Sequence, residues 1–313
     1  MLLSILALAV LPAAAQEAGH LEPRLKLPDL KSFRGAPDVH AALPKLSFGN
    51  VTLVAELVDK GPQVTRGLVW RVFGPQADTA GKLPLIASAR GGTSVFQLDP
   101  GSYLVHASYG RAGATKRITV GKEAKKEVIV LDAGGLKLDA VLPSGGHIPP
   151  NKLRFSIYEA EPGADGERAL IIPDVRPDAV VRLNAGTYHV ISKYGSVNAV
   201  IRSDIRVAAG KLTEATVEHR AAQLTLKLVR DHGGEAIADT SWTVLTDSGD
   251  VVRESVGAFA TMVLAEGDYT VVAKNRGHTY QRALTVEAGN NEEVEVLTSD
   301  VGNQGAPIGD ISD

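Results

Sequence analysis

The chain contains no cysteine, so no disulfide can staple it, no N-terminal cysteine can carry a lipid, and its stability must come from ordinary apolar cores. Aromatic residues make up only 5% of it, with two tryptophans, which is little material for the exposed aromatic face that sugar binding uses. Charge of one sign is also missing. The formal net charge is -3, and the segment after Thr298 holds Asp300, Asp310 and Asp313 without Lys or Arg, leaving the rest close to neutral. That balance argues against an extended footprint for nucleic acid or an anionic membrane. No segment keeps a helical period of 3.6 over about twelve residues, and no apolar run reaches the ~20 residues that span a bilayer.

Catalytic signatures are equally sparse. None of the eight histidines pairs at metal-ligand spacing such as H-x-x-x-H or H-x-H. His106 and His189 fall on corresponding segments but at non-equivalent positions, and each reads as a histidine on a strand surface. No G-x-S-x-G elbow precedes a helix. "DSGD" (Asp247 to Asp250) lacks calcium-loop spacing and reads as a turn between strands. "GGHIPPN" (Gly145 to Asn151) and "RGG" (Arg90 to Gly92) lack the strand-helix setting of phosphate loops and read as turns. "GKEAKKE" (Gly121 to Glu127) alternates in sign and reads as a solvated hairpin. No catalytic, cofactor-binding or metal-binding residue is expected.

The chain ends differ from its middle. An apolar run from Leu2 to Leu11, then Pro12 and Ala13 to Ala15, has the form of a secretory signal peptide cut before Gln16, although no Lys or Arg precedes the run. Residues 16–45 include Pro23, Pro28, Pro37 and Pro44 and read as a semi-extended linker. Residues 298–313 hold too little apolar surface to offset their ordering entropy and read as a disordered tail.

Between those ends, period-two alternation dominates and one pattern recurs. "LDPGSYLVHASYG", "LNAGTYHVISKYG" and "LAEGDYTVVAKNRG" place Tyr103, Tyr188 and Tyr269 in register, 85 and 81 residues apart. Each copy opens with an alternating strand: "VTLVAEL", "LKLDAVL" and "LTLKLVR". A second strand carries a large aromatic, Trp70, Phe155 or Trp242. A short strand then ends in leucine, the tyrosine motif follows, and two last strands join at Gly121, Gly210 and Gly289. Seven short strands in about 80 residues cannot bury both faces of one flat sheet, whereas two packed sheets can. The expected fold is therefore all-β: three tandem seven-stranded sandwiches of immunoglobulin-like or transthyretin-like type, over residues 46–132, 133–220 and 221–297. Short junctions near Asp132 to Gly135 and Glu218 to Ala222 imply a semi-rigid rod of modules.

Within the motif, Tyr188, Val190, Ser192 and Tyr194 share one strand face and should meet the core, while His189, Ile191 and Lys193 share the other. Gly101, Gly186 and Gly267 precede the tyrosines by two residues, where a tight reversal would call for positive φ. Each tyrosine ring should cover the end of a core with its hydroxyl on a backbone group, as a tyrosine corner does. The expected anchors are thus Gly101, Tyr103, Gly186, Tyr188, Gly267, Tyr269, Trp70, Phe155 and Trp242.

The run from Gly233 to Val296, with its glycine turn, its "L-x-x-G-x-Y" entry into a long strand and its final "V-x-x-G" hairpin, resembles carboxypeptidase regulatory-like, transthyretin-like and PEGA-type β-sandwich modules. "LDPGSYLV" with "ITVGK" and "LNAGTYHV" with "VAAGK" extend the resemblance to about 250 residues. It implies scaffolding or binding modules without catalysis. Together these features predict a periplasmic or secreted, non-catalytic interaction scaffold whose partner is an unidentified envelope protein. Carbohydrate or peptidoglycan binding is the alternative, with cell-wall polysaccharide as partner and no membrane span once the signal is cut.

Overall fold

The computed structural model describes residues 49–300; the expected signal peptide, the expected linker and residues 301–313 of the expected tail lie outside them. Every element described is a strand, and no helix among the described residues is long and apolar enough to cross a membrane.

Twenty-one strands form three units of seven. The first contains β1 (Gly49–Glu56), β2 (Leu68–Phe73), β3 (Leu85–Gly91), β4 (Ser94–Leu98), β5 (Gly101–Tyr109), β6 (Ala112–Val120) and β7 (Lys125–Val130). The second runs through β8 (Ala133–Val141), β9 (Leu153–Glu159), β10 (Leu170–Val175), β11 (Val180–Asn184), β12 (Gly186–Tyr194), β13 (Val200–Val207) and β14 (Leu212–Glu218). The third comprises β15 (Ala221–Val229), β16 (Ser241–Thr246), β17 (Val251–Val256), β18 (Phe259–Ala265), β19 (Gly267–Asn275), β20 (His278–Val286) and β21 (Glu292–Leu297).

In each unit the first strand is central in a three-stranded sheet, antiparallel to the fourth strand and parallel to the seventh, as in β4-β1-β7. The remaining four make an antiparallel sheet, as in β3-β2-β5-β6. An immunoglobulin constant domain instead places its first, second, fifth and fourth strands in one sheet, so what is shared with it is the two-layer architecture.

This order corrects two readings of the sequence. The glycines Gly121, Gly210 and Gly289 do not close hairpins. The strands they join lie in different sheets, and the seventh strand of each unit crosses over to pair in parallel with the first. "GKEAKKE" is accordingly a crossover, and Glu127 at its end is buried in an ion pair with Lys116 and Lys125 at 2.9 and 2.6 Å. Burial raises the Glu127 pKa, but the hydrogen bonds from Lys125 and Lys116 outweigh it and hold the carboxyl below its ordinary value. A period-two pattern fixes which face is buried but carries no information on which neighbour a strand pairs with, so crossover and hairpin read alike.

Each unit encloses its own apolar cluster between its two sheets. Trp70, Phe155 and Trp242 are each at most 1% exposed. Indole Nε1 of Trp70 donates to the Gly92 carbonyl at 2.7 Å and that of Trp242 to the Gly257 carbonyl at 2.9 Å, so the burial of each ring leaves its polar atom satisfied. Phe155 has no N–H to place and stands in the same position in the middle unit. "DSGD" forms the β16–β17 turn, with Thr246 N donating to the Asp250 carbonyl at 2.9 Å.

Candidate functional site: the module junctions

The tyrosine motif marks the point where the chain passes from one sheet to the other. Between β11 and β12 lies only Ala185, and the two strands belong to different sheets. Tyr103 Oη donates to the Asp99 carbonyl, Tyr188 Oη to that of Asn184, and Tyr269 Oη to that of Ala265, each at 2.9 Å and each four residues back. Every ring therefore ties the start of the fifth strand to the end of the fourth. Tyr188 and Tyr269 are 8% and 7% exposed, whereas Tyr103 is only half-buried. Burial raises the pKa of Tyr188, and the nearby Glu159 adds to it.

Gly186 and Gly267 take φ of 158° and 149°, a region reserved for glycine. Gly101 does not have positive φ, and its place in the motif needs no glycine on conformational grounds. The sheet-to-sheet crossing replaces the tight reversal expected there, and a crossing can be entered with ordinary backbone angles.

The crossings also receive the neighbouring module. Gly110, in the β5–β6 turn, has φ of 67°, and a Cβ there would sit 2.9 Å from Cβ of Arg182 on β11. Gly195, in the equivalent β12–β13 turn, has φ of 73°, and its Cβ would sit 2.8 Å from Cβ of Val263 on β18. Arg182 and Val263 each stand one residue before the motif leucine, so both junctions are the same contact. Around it, Arg111 N donates to the Arg182 carbonyl at 3.0 Å, and the Arg182 guanidinium carbon lies 4.5 Å from the centre of the Tyr109 ring. Ala185 N donates to the Asp132 carbonyl at 2.7 Å, and Glu266 N to the Arg220 carbonyl at 2.9 Å.

One asparagine serves each junction, from opposite sides. At the first, Asn184 of the crossing reaches back: its Oδ1 accepts from Gly113 N at 3.2 Å, and its Nδ2 donates to the carbonyls of Gly113 and Leu131 at 3.2 and 2.7 Å. At the second, Asn198 of the turn reaches forward, accepting from Ala265 N at 3.0 Å and donating to Tyr269 Oη at 2.8 Å. Apolar residues are shared too. Ala133 packs in the first core, and Ala221 and Val263 in the second. The described residues accordingly group as one compact unit.

The second junction holds a buried polar pair that the sequence reading missed. His219 and Ser192 are each 1% exposed, and Nε2 of His219 lies 2.8 Å from Oγ of Ser192. Burial pushes the imidazole pKa down to about 4, because a charge there has no water. The Tyr194 ring stands edge-on to it, with centroids 6.0 Å apart. A serine beside a neutral histidine is half of a nucleophilic site. With no carboxylate behind the imidazole in its hydrogen bonds and no route for substrate, this pair is a structural element of the core.

His106 and His189 lie on strands β5 and β12. Nδ1 of His106 lies 2.9 Å from the Thr115 hydroxyl and that of His189 lies 2.7 Å from the Asp204 carboxylate. Among the described residues no three metal-ligating side chains gather.

A family profile, the Rhizobiales growth-associated tandem repeat domain, matches residues 223–298, which is the third module. No curated protein matches the chain. Solved structures similar to it include the TIE protein of Bacillus anthracis, at 16% identity over 80% of this chain, with a TM-score of 0.25. This chain spans half the length of that protein. The minor pilin GBS52 of Streptococcus agalactiae matches at 13% identity over 55% of this chain and 95% of its own, with a TM-score of 0.33. The major pilin BcpA of Bacillus cereus matches at 10% identity over 80% of this chain and 99% of its own, with a TM-score of 0.21. The fold, one strand order repeated three times, makes this a tandem-repeat protein of β-sandwich modules.

Proposed function

We propose that the chain is an exported, non-catalytic interaction scaffold, periplasmic or secreted, in which three modules of carboxypeptidase regulatory-like kind hold their surfaces in fixed register for a partner in the cell envelope. The observation that carries this reading is the repetition of one junction. The Gly110–Arg182 and Gly195–Val263 contacts, each reinforced by a cross-module asparagine, make a multi-surface body out of units that could otherwise move independently. Export is supported by the apolar run from Leu2 to Leu11 with its small-residue site at Ala13 to Ala15, and by the absence of cysteine, which suits either envelope location.

The test is affinity capture from envelope extracts, comparing the intact chain with the Gly195→Ala variant. A stoichiometric protein partner retained by the intact chain and lost when the second junction is disturbed supports the scaffold. Fractionation of a C-terminally tagged chain into the cytosol would overturn export, and retention on cell-wall polysaccharide without a protein partner would overturn the scaffold.

A further inference from the structure

The outer face of the middle module's four-stranded sheet carries charges that the fold does not use. Strands β9, β10, β12 and β13 bring Arg154, Asp174, Lys193 and Arg202 to the wall of one cavity of about 510 Å³, which the β12–β13 turn closes at the second junction. Lys193 stands directly opposite Arg154 in the ladder, and Arg202 directly opposite Ile191. Like charges opposed across a strand pair disfavour the sheet. Three other strand lysines, Lys116, Lys137 and Lys227, each meet a carboxylate within 3.0 Å. Among the described residues, Lys193 and Arg202 meet none, and Asp174 pairs with no cation although it shares their cavity. Arg154 is anchored through Nη1 to the carbonyls of Pro150 and Leu153 at 2.7 and 2.6 Å, which fixes the guanidinium and leaves its other donors free.

Two further observations set this face apart. Asp174 adopts φ of 51° inside the irregular stretch of β10, a conformation that a non-glycine residue holds only at a cost. The other modules do not repeat the charges as a set, Lys274 being the one match. The positions paired as Lys193 with Arg154 are Ser108 with Val69 and Lys274 with Ser241, and those paired as Ile191 with Arg202 are His106 with Thr115 and Val272 with Gln281. The sandwich therefore does not require three cations here.

We propose that this cavity binds an acidic sugar, a hexuronate or a sugar phosphate, with Arg154, Lys193 and Arg202 holding the acid group. Ile191 and Val200 supply an apolar floor for the C–H face of the ring. Asp174 and the Ser196 hydroxyl accept hydrogen bonds from the sugar hydroxyls. The volume lies within the usual range for a small-molecule site, and the anion relieves the repulsion between Lys193 and Arg154. The inference does not depend on the scaffold reading, since the ligand site occupies one module and the scaffold rests on the junctions.

Calorimetric titration of the full chain at low ionic strength tests it with four probes: glucuronic acid, glucose phosphate, glucose and inorganic phosphate. Saturable binding of at least one acidic sugar, roughly tenfold or more tighter than either glucose or inorganic phosphate, supports the proposal, and the tighter of the two identifies the acid. The Lys193→Gln/Arg202→Gln variant should lose that binding by roughly tenfold or more while its melting temperature holds or rises. Lys193→Gln alone, which removes the opposed charges, provides the same readout should the double variant fold poorly. No saturable heat with either acidic sugar, binding unchanged in the variants, or inorganic phosphate bound as tightly as the sugars, an adventitious ion only, would each overturn it.

Discussion

Nδ2 of Asn198 donates to Oη of Tyr269 at 2.8 Å, and the same hydroxyl donates onward to the Ala265 carbonyl at 2.9 Å. A side chain of the middle module thus grips the sheet crossing of the third, while its Oδ1 takes the Ala265 N–H at 3.0 Å. Asn198→Ala removes both bonds and leaves a partly buried amide unpaired, which costs about 1–3 kcal/mol. Calorimetry of the full chain should show the third module melting apart from the other two. An unchanged single transition would mean that the asparagine does not couple the modules.

Tyr188 separates the two contributions of the motif. Its ring is buried against the middle core and its hydroxyl ties Asn184 to the start of β12. Tyr188→Phe should lower stability by about 1 kcal/mol, the value of one hydrogen bond. Tyr188→Ala empties the end of the core at about 3–5 kcal/mol, a large share of the stability of a module this size, and should unfold it. Thermal melts that show equal damage from the two changes would remove the tyrosine from its role as the pin between sheets.

The Ser192–His219 pair makes the second junction acid-sensitive. The folded-state pKa of His219 is about 4, below the ~6.5 of an unfolded histidine, so between these values the unfolded chain binds a proton that the folded one does not. Stability is then full above about pH 6.5 and declines as pH falls towards 4, by about 3 kcal/mol in all. Ser192 and His219 occupy the positions of Ala107 and Leu131 in the first module, where Leu131 N donates to the Glu56 carbonyl as His219 N does to that of Val141. Ser192→Ala/His219→Leu restores the apolar pair and should flatten the pH dependence with little loss at neutral pH. His219→Leu alone strands the serine hydroxyl and should cost more. Chemical denaturation at several pH values checks all three.

What the sequence made legible was whatever the three copies share. The tyrosines and their hydroxyl partners, the equivalent places of Trp70 and Trp242, and the two-sheet architecture all recur, and recurrence against varied surroundings is a strong signal. The junctions were hidden for the opposite reason. Asn184, Asn198, Ser192 and His219 are departures from the repeat, and a departure looks like surface drift until its partner is known. The signal was there in pairs: Ala107 and Leu131 change together to Ser192 and His219. Alternation likewise could not reveal that the seventh strand pairs with the first, because the buried face is the same for a hairpin and a crossover.

Gly195 tests whether the junction is a packed contact. Its φ of 73° already disfavours any other residue, and an added Cβ would meet the Val263 side chain at 2.8 Å. Gly145, with φ of 77°, lies in the loop after β8 with no atom within 4 Å of the same added carbon. Gly145→Ala therefore pays only for left-handed backbone, about 1–2 kcal/mol. Gly195→Ala carries that cost plus the displacement of a buried third-module valine that packs in the middle core, about 1–3 kcal/mol more. Melts of the two variants side by side isolate the second quantity, because the backbone term is common to both. A difference of about 1 kcal/mol or more, appearing as separation of the third module's transition, shows that Val263 is packed against the turn. Equal losses would leave the glycines of the "YG" turns as matters of backbone geometry alone, and the two junctions would then rest on their asparagines.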